Sequence, residues 1–246
     1  MSSFFIGKIK NMARRKTVSD LINNDLQCVE PISKGQRQVF KAFDNDKHLI
    51  LHGYAGTGKT FLALYLALND LERYKTYSNI TIIRSVVASR DIGFLPGSMD
   101  EKIEIYEEPY QSIVCELYGR GDAYNILKRN NWIQFKSTSF LRGLTQDNSI
   151  IIVDEIQNMN FQELSTISTR LGDNSRVIFC GDYRQSDLGR YQERQELKKF
   201  LSIMERINNV ETIEFGVDDI VRSEFVKNFI IETDRYERNT APERKT

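Results

Sequence analysis

The apolar positions of this chain gather into short uninterrupted runs, set apart by longer stretches with a helical period. Leu49-Ile50-Leu51, Ile80-Thr81-Ile82-Ile83, Ile150-Ile151-Ile152-Val153 and Val177-Ile178-Phe179-Cys180 show no apolar–polar alternation. Strands buried on both faces read this way, whereas half-exposed strands alternate. Trp132-Ile133-Gln134-Phe135 is a further strand, and its aromatic residues read as core. Around these runs the spacing predicts helices. Ser33 opens a capped helix over 33–44 with Val39, Phe40 and Phe43 on one face. A second helix runs from about Lys59 to Tyr74; Leu62, Leu64, Tyr65, Leu66, Leu68 and Leu71 cover so much of its surface that it must be buried. Residues 100–129 read as helical, Phe161 to Leu171 as a helix between the last two strands, and Ser85 to Gly97 as irregular. Strands alternating with helices predict an α/β domain, a parallel sheet with helices on both faces.

Composition narrows the function. The 246 residues hold 34 Lys+Arg and 34 Asp+Glu, a formal net charge of zero, so any nucleic-acid contact must be a local basic patch. The apolar runs fall far short of the ~20 residues a membrane span needs. Cys28, Cys115 and Cys180 are odd in number and form no CxxC, and His48 and His52 have no cysteine nearby in sequence. That pattern argues against a zinc site or a disulfide framework and for reduced thiols in the cytoplasm. Phe4-Phe5-Ile6 precedes Lys8, Lys10, Arg14, Arg15 and Lys16, the reverse of a secretory signal, so residues 1–16 read as a basic tail. The expected organisation is a tail and lead-in over 1–30, one domain over 31–234 and a tail over 235–246.

The run Gly53-Tyr54-Ala55-Gly56-Thr57-Gly58-Lys59-Thr60 fits G-x-x-x-x-G-K-[ST] between a strand and a helix. Glycines let backbone N–H groups converge on phosphate, and the helix N-terminus adds its positive end. Lys59 is placed to reach the β- and γ-phosphates and the Thr60 hydroxyl to ligate Mg²⁺, so ATP and Mg²⁺ are the expected ligands. The strand Ile150–Val153 ends in Asp154-Glu155. A carboxylate there can hold Mg²⁺, as Asp154, and a second can polarise the attacking water, as Glu155. Gly181-Asp182-Tyr183-Arg184-Gln185 follows the next strand, and Gln185 can sense the γ-phosphate or orient water. Neither an Asn-Lys-x-Asp guanine reader nor a Leu-Ser-Gly-Gly-Gln signature occurs, which argues against a GTPase and a transporter ATPase. A small-molecule kinase fits poorly with Glu155 and Gln185 placed to activate water.

Asp154-Glu155-Ile156-Gln157 with the downstream Gly181-Asp182 and Gln185 resembles superfamily 1 helicases, in which Gln36 would read the adenine edge. The order of motifs from about residue 33 to 231 resembles the PhoH-like ATPases more closely. The segments that carry this likeness include Gly93-Phe94-Leu95-Pro96-Gly97, Phe140-Leu141-Arg142-Gly143, Val153-Asp154-Glu155-Ile156-Gln157-Asn158, Asp187-Leu188 and Asp219-Ile220-Val221-Arg222. The chain departs from that family at Ser85, at Ile105 and at Ser223-Glu224, on the presumed substrate side. The resemblance implies a RecA-like core, ATP hydrolysis, RNA helicase or RNA-remodelling activity, and hexameric rings.

The stretch after Gly181 is too short for a second RecA-like domain, so the expected second wall of the ATP cleft is a neighbouring subunit. Arg222 is the first candidate for the arginine that stabilises charge on the γ-phosphate, within its own chain or across that boundary, and Arg170 the second. Arg84, Arg90 and Phe94 are candidates for gripping single-stranded RNA or DNA. Phe94 and Tyr106 either stack on bases or, for Phe94, plug an interface. The expected protein is therefore a homo-oligomeric ATPase acting on RNA or single-stranded nucleic acid. Its rivals are an ATP-driven protein-remodelling subunit and a nucleotide switch with little turnover.

Overall fold

The computed structural model describes positions 18 and 22 and residues 25–85, 99–138, 145–182 and 191–240. In chain order its elements are α1 (Lys34–Asp44), β1 (His48–Gly53), α2 (Lys59–Asn69), β2 (Asn79–Arg84), α3 (Met99–Tyr118), α4 (Ala123–Arg129), β3 (Ile133–Ser137), β4 (Ser149–Asp154), α5 (Phe161–Ser168), β5 (Arg176–Gly181), α6 (Tyr191–Met204), β6 (Val210–Phe215) and α7 (Glu224–Thr240). The six strands form one sheet in the order β3-β2-β4-β5-β1-β6. Every neighbouring pair is parallel.

The apolar runs are buried on both faces, as their lack of alternation requires. Leu49, Leu51, Ile80, Ile82, Ile150, Ile152, Ile178 and Cys180 join one core, with residues of α1, α2, α3 and α4. Ile50, Ile83, Ile151, Val153, Val177 and Phe179 join a second, with residues of α5 and α6. Alternate residues of one run thus face opposite layers. Trp132 and Phe135 are partly buried against the first core. Val18, Ile22 and Leu26 from the lead-in are buried in that core as well.

Local chemistry sets the helix ends. The Ser33 hydroxyl accepts from the Gln36 N–H at 3.2 Å and caps α1. In place of one α-helix to Tyr74, α2 ends at Asn69 and continues as a π turn over Asp70–Tyr74. Lys75 closes that turn in the left-handed region, with φ 56°. The helical stretch 100–129 is two helices, parted where Gly119 takes φ 60°. Asn160 and Glu163 form a capping box that starts α5, which stops at Ser168 because Thr169 and Arg170 turn out of the helix.

Three elements add to those expected: α6, β6 and α7. The β6 segment breaks its apolar run with Glu211 and Glu214, both exposed beside buried Ile213 and Phe215, as an edge strand with one neighbour allows. The α6 period is carried by Leu197, Phe200, Leu201 and Met204, all packed in the second core. None of the α7 residues from 224 to 236 is buried, and Phe225, Phe229 and Tyr236 lie on an open face. Among the described residues no helix is long and apolar enough to cross a membrane.

One contact in this framework titrates. The His48 Nδ1 accepts from the Val177 N–H at 3.2 Å, joining β1 to β5. Burial first, and the nearby Arg176 second, lower the His48 pKa. A lowered histidine pKa means that the folded state favours the neutral ring. Its contribution is complete above the unfolded value of about 6.5 and falls away as the pH drops below it. The melting temperature of the wild type is therefore expected to fall more between pH 7.5 and 5.5 than that of His48→Asn, which keeps an acceptor but does not ionise. Equal slopes for the two proteins in differential scanning fluorimetry would refute this.

Candidate functional site

The phosphate-loop sequence makes a turn between β1 and α2 that an ordinary residue could not make. Gly53 has φ +119°, and a Cβ there would lie 2.2 Å from the Phe215 carbonyl oxygen. The Tyr54 N–H donates to that carbonyl at 3.1 Å, so the loop is pinned to the end of β6. Gly56 has φ +72°, and a Cβ there would sit 2.8 Å from Arg222 Cγ. Gly58 caps α2 in the left-handed region, and the Leu62 N–H donates to its carbonyl at 2.9 Å to start the helix. Thr57 is fully buried, and its hydroxyl donates to the Tyr54 carbonyl at 3.0 Å.

The Lys59 ammonium folds over this loop and donates to the carbonyls of Gly53 at 3.1 Å and Tyr54 at 2.7 Å. Burial lowers its pKa, and Asp182, Glu155 and Asp154 oppose the fall. The cation is thus parked on backbone carbonyls beside three carboxylates. An incoming polyphosphate offers it stronger, charged partners.

The end of β4 supplies the acidic side. The Thr60 hydroxyl, in the first turn of α2, donates to Asp154 Oδ1 at 3.0 Å. The Tyr110 hydroxyl, from the middle of α3, donates to Asp154 Oδ2 at 2.9 Å. Burial, then the charge of Glu155, push the Asp154 carboxyl up to about 6. Burial likewise pushes the Tyr110 phenol up, so it remains a donor. Glu155 takes φ 56°, a left-handed conformation unusual for a side-chain-bearing residue. Its carboxylate accepts from Gln157 Nε2, while Gln157 Oε1 accepts from the Asp182 N–H at 3.0 Å. Gln157 therefore ties Glu155 to the end of β5.

Lys59, Thr60, Asp154, Glu155 and Asp182 line one cleft of about 590 Å³, together with Gln36, Ile113, Glu116 and Arg222. Its volume lies in the range of small-molecule and cofactor sites. Thr60 and Asp154 offer oxygen donors to a hard cation. Among the described residues no group of three or more His, Cys, Asp or Glu forms a metal cage. Mg²⁺ suits such a place, because it is commonly held by one or two carboxylates together with substrate phosphates. Gln36 lines the cleft but is engaged with its own chain. Its Oε1 accepts from the Ile32 N–H at 2.9 Å, and its Nε2 donates to the Thr57 carbonyl at 3.3 Å.

Arg222 lies against Gly56 of its own phosphate loop and lines its own cleft. The cause is strand order. With β6 beside β1, the turn after Phe215 is held by Asp219, whose carboxylate accepts from Gly35 N–H at 2.9 Å and Gly216 N–H at 2.8 Å. That turn delivers Val221, whose N–H donates to the Gly56 carbonyl at 3.0 Å, and Arg222 follows. Arg170 is exposed at the opposite edge of the sheet, where its carbonyl accepts from the Gln146 N–H at 3.1 Å, just ahead of β4. Arg84 ends β2 in register with Asp154, and its guanidinium lies over the Tyr106 ring, 5.5 Å from its centre. Arg90, Phe94 and Gln185 lie outside the described residues, as do Gly93–Gly97, Phe140–Gly143 and Asp187-Leu188. Tyr110 and Asp219 were not singled out in sequence as site residues. Tyr110 sits in a helical stretch beside Pro109, and only strand and helix packing sets it against Asp154.

A family model described as PhoH-like protein matches residues 28–233. A PhoH-like protein of Mycobacterium leprae is 31% identical over 222 residues, which cover 89% of this chain and 62% of that protein. A PhoH-like protein of Synechocystis is 32% identical over 207 residues, 84% of this chain and 62% of that protein. Protein PhoH of Escherichia coli is 32% identical over 193 residues, 78% of this chain and 54% of that protein. The chain thus spans less than two thirds of these relatives. Among solved structures, the large terminase of a thermophilic bacteriophage in complex with ADP superposes with a TM-score of 0.48 at 14% identity, covering 85% of this chain and 50% of that one. The Pif1 helicase from Candida albicans gives a TM-score of 0.38 at 17% identity, covering 85% and 44%.

The geometry of the loop makes a prediction that needs no ligand. Gly53→Ala puts a methyl group into the Phe215 backbone at a positive φ, so it is expected to destabilise the fold by at least ~1–3 kcal/mol. Urea unfolding followed by circular dichroism measures this, and a midpoint equal to that of the wild type would contradict it.

Proposed function

Because the chain belongs to the PhoH-like family, we propose that it binds ATP with Mg²⁺ in the phosphate-loop cleft, hydrolyses it, and uses the turnover to unwind or remodel RNA or single-stranded nucleic acid. The observation that carries the ATPase part is the convergence of Lys59, the Thr60–Asp154 pair and Glu155 on one cleft. In this reading backbone N–H groups from Gly56 to Thr60 cradle the phosphates, and Lys59 leaves its carbonyl partners for the β- and γ-phosphates. Thr60 and Asp154 would hold Mg²⁺, which when bound neutralises charge on the phosphate oxygens. Glu155, fixed by Gln157, takes the proton of the attacking water. Arg222 stabilises the charge that builds on the γ-phosphate of its own chain's nucleotide, and Gln185 orients the water. Gln36 reads the base once it exchanges its intrachain partners for the adenine edge.

The nucleic-acid part rests on Arg84 at the end of β2 with Tyr106, and on Arg90 and Phe94 between them in sequence. This reading places the protein in the cytoplasm as a homo-oligomer, the hexameric ring that the family resemblance implies. A second reading, remodelling of a protein partner, is favoured by Phe225, Phe229 and Tyr236, which share one exposed stripe of α7. The ATPase rate with and without single-stranded RNA separates the two. Stimulation supports the first, and a rate indifferent to RNA or DNA at low salt removes it.

Two substitutions test the chemistry. Lys59→Ala is expected to abolish tight binding of a fluorescent ATP analogue with Mg²⁺. Glu155→Gln is expected to keep that binding and slow hydrolysis by roughly 10²- to 10⁴-fold, because the amide keeps the shape and loses the base. Wild-type turnover in Glu155→Gln would remove Glu155 from this role.

The position of Arg222 gives a further expectation. Lys59→Ala subunits co-refolded with Arg222→Ala subunits should show no recovery of ATPase activity, since both groups serve one cleft of one chain. Recovery would return Arg222 to a neighbour's site.

A further inference from the structure

We infer that Tyr110 is the positioning residue for the metal-bearing carboxylate, its hydroxyl fixing Asp154 Oδ2 so that Oδ1 is presented to the cation. The inference rests on the Mg²⁺–ATP reading above and names a group that reading does not use. Asp154 has one side-chain hydroxyl partner on each oxygen: Thr60 on Oδ1 at 3.0 Å and Tyr110 on Oδ2 at 2.9 Å. The two partners are not equivalent. Thr60 belongs to the phosphate loop and is itself a metal-ligand candidate, so a cation competes with Asp154 for its hydroxyl. Tyr110 belongs to α3, is fully buried, and does not line the cleft. Its partnership therefore survives when Thr60 turns away, and it alone then sets the carboxylate's rotamer.

Packing does not require the hydroxyl. The Tyr110 ring rests against Phe135 at a centroid distance of 5.7 Å, a contact that phenylalanine would keep. A buried hydroxyl without a partner is costly, so its presence on this apolar face has to be matched by an acceptor, and Asp154 is that acceptor. Arg84 stands in register with Asp154 across the β2–β4 pair, so its positive charge lies on the same side. The carboxylate is thus backed, on the side away from Thr60, by the buried phenol of Tyr110. Groups that stand behind metal ligands in this way typically affect metal affinity by 10- to 100-fold.

The test measures binding rather than turnover. A fluorescent ATP analogue is titrated into wild type and Tyr110→Phe, first in EDTA and then across a Mg²⁺ series. The expected result is an unchanged metal-free affinity and a Mg²⁺ midpoint raised about 10-fold or more. In an Asp154→Asn background, Tyr110→Phe is expected to add no further rise, because the carboxylate it positions is gone. An unmoved midpoint, or a rise that adds fully to that of Asp154→Asn, overturns the inference.

Should Tyr110→Phe not fold, 3-fluorotyrosine placed at position 110 keeps ring and hydroxyl and gives a direct readout. Its ¹⁹F resonance should move with the same Mg²⁺ midpoint as nucleotide binding, and a resonance that ignores Mg²⁺ overturns the inference equally. Lack of Mg²⁺-dependent nucleotide binding by the wild type would overturn the ATP reading and this inference together. Normal wild-type binding with an unmoved Tyr110→Phe midpoint overturns this inference alone.

Discussion

The close approach of Gly53 to the Phe215 carbonyl is the constraint from which the site is built. Any side chain at position 53 would collide with the β6 backbone, and the hydrogen bond from Tyr54 to the same carbonyl fixes the loop's exit. Once β6 lies beside β1, the chain after Phe215 must pass the phosphate loop. Asp219 clamps that passage by accepting from both Gly35 and Gly216, so α1, the phosphate loop and the segment leading to Arg222 share one anchor. The arginine reaches its own cleft because of sheet order, not because of its distance along the chain.

On the other side of the cleft, β5 lies between β1 and β4, so the phosphate loop and Asp154 stand two strands apart. The first turn of α2 spans that gap through Thr60. Lys59 is held below its usual pKa and Asp154 above its own, chiefly by burial in both cases. A site that keeps a cation and carboxylates partly dehydrated and unevenly paired is completed electrostatically by a polyanion arriving with a divalent cation. The same burial explains why Asp154 needs two hydroxyl donors before any ligand arrives.

What could be read from the sequence follows from how each element is buried. The runs at 49–51, 80–83, 150–153 and 177–180 were legible as strands because two cores close over them, leaving no polar position to blur the pattern. The phosphate loop and Asp154-Glu155 were legible because their chemistry is local: special backbone angles need glycine, and a strand end needs only one residue to present a charge. The β6 strand was hidden by its edge position, which restores Glu211 and Glu214 to solvent and breaks the apolar run. Tyr110 and the placement of Arg222 depend on which strands are neighbours and on how helices cross them. No spacing along the chain encodes that.

The C-terminal helix takes this dependence one step further. A helix none of whose residues from 224 to 236 is buried draws little stability from apolar burial there, so polar contacts matter to its footing. For α7 that footing is the phosphate loop itself. The Tyr54 hydroxyl donates to Asp234 Oδ2 at 2.5 Å, and just ahead of the helix Val221 and Arg222 engage Gly56. Tyr54 occupies a position that the phosphate-loop pattern leaves free, and here it is the residue that ties the loop to the last helix. The stripe of Phe225, Phe229 and Tyr236 is therefore carried on a helix that meets the phosphate loop through Tyr54 and Asp234.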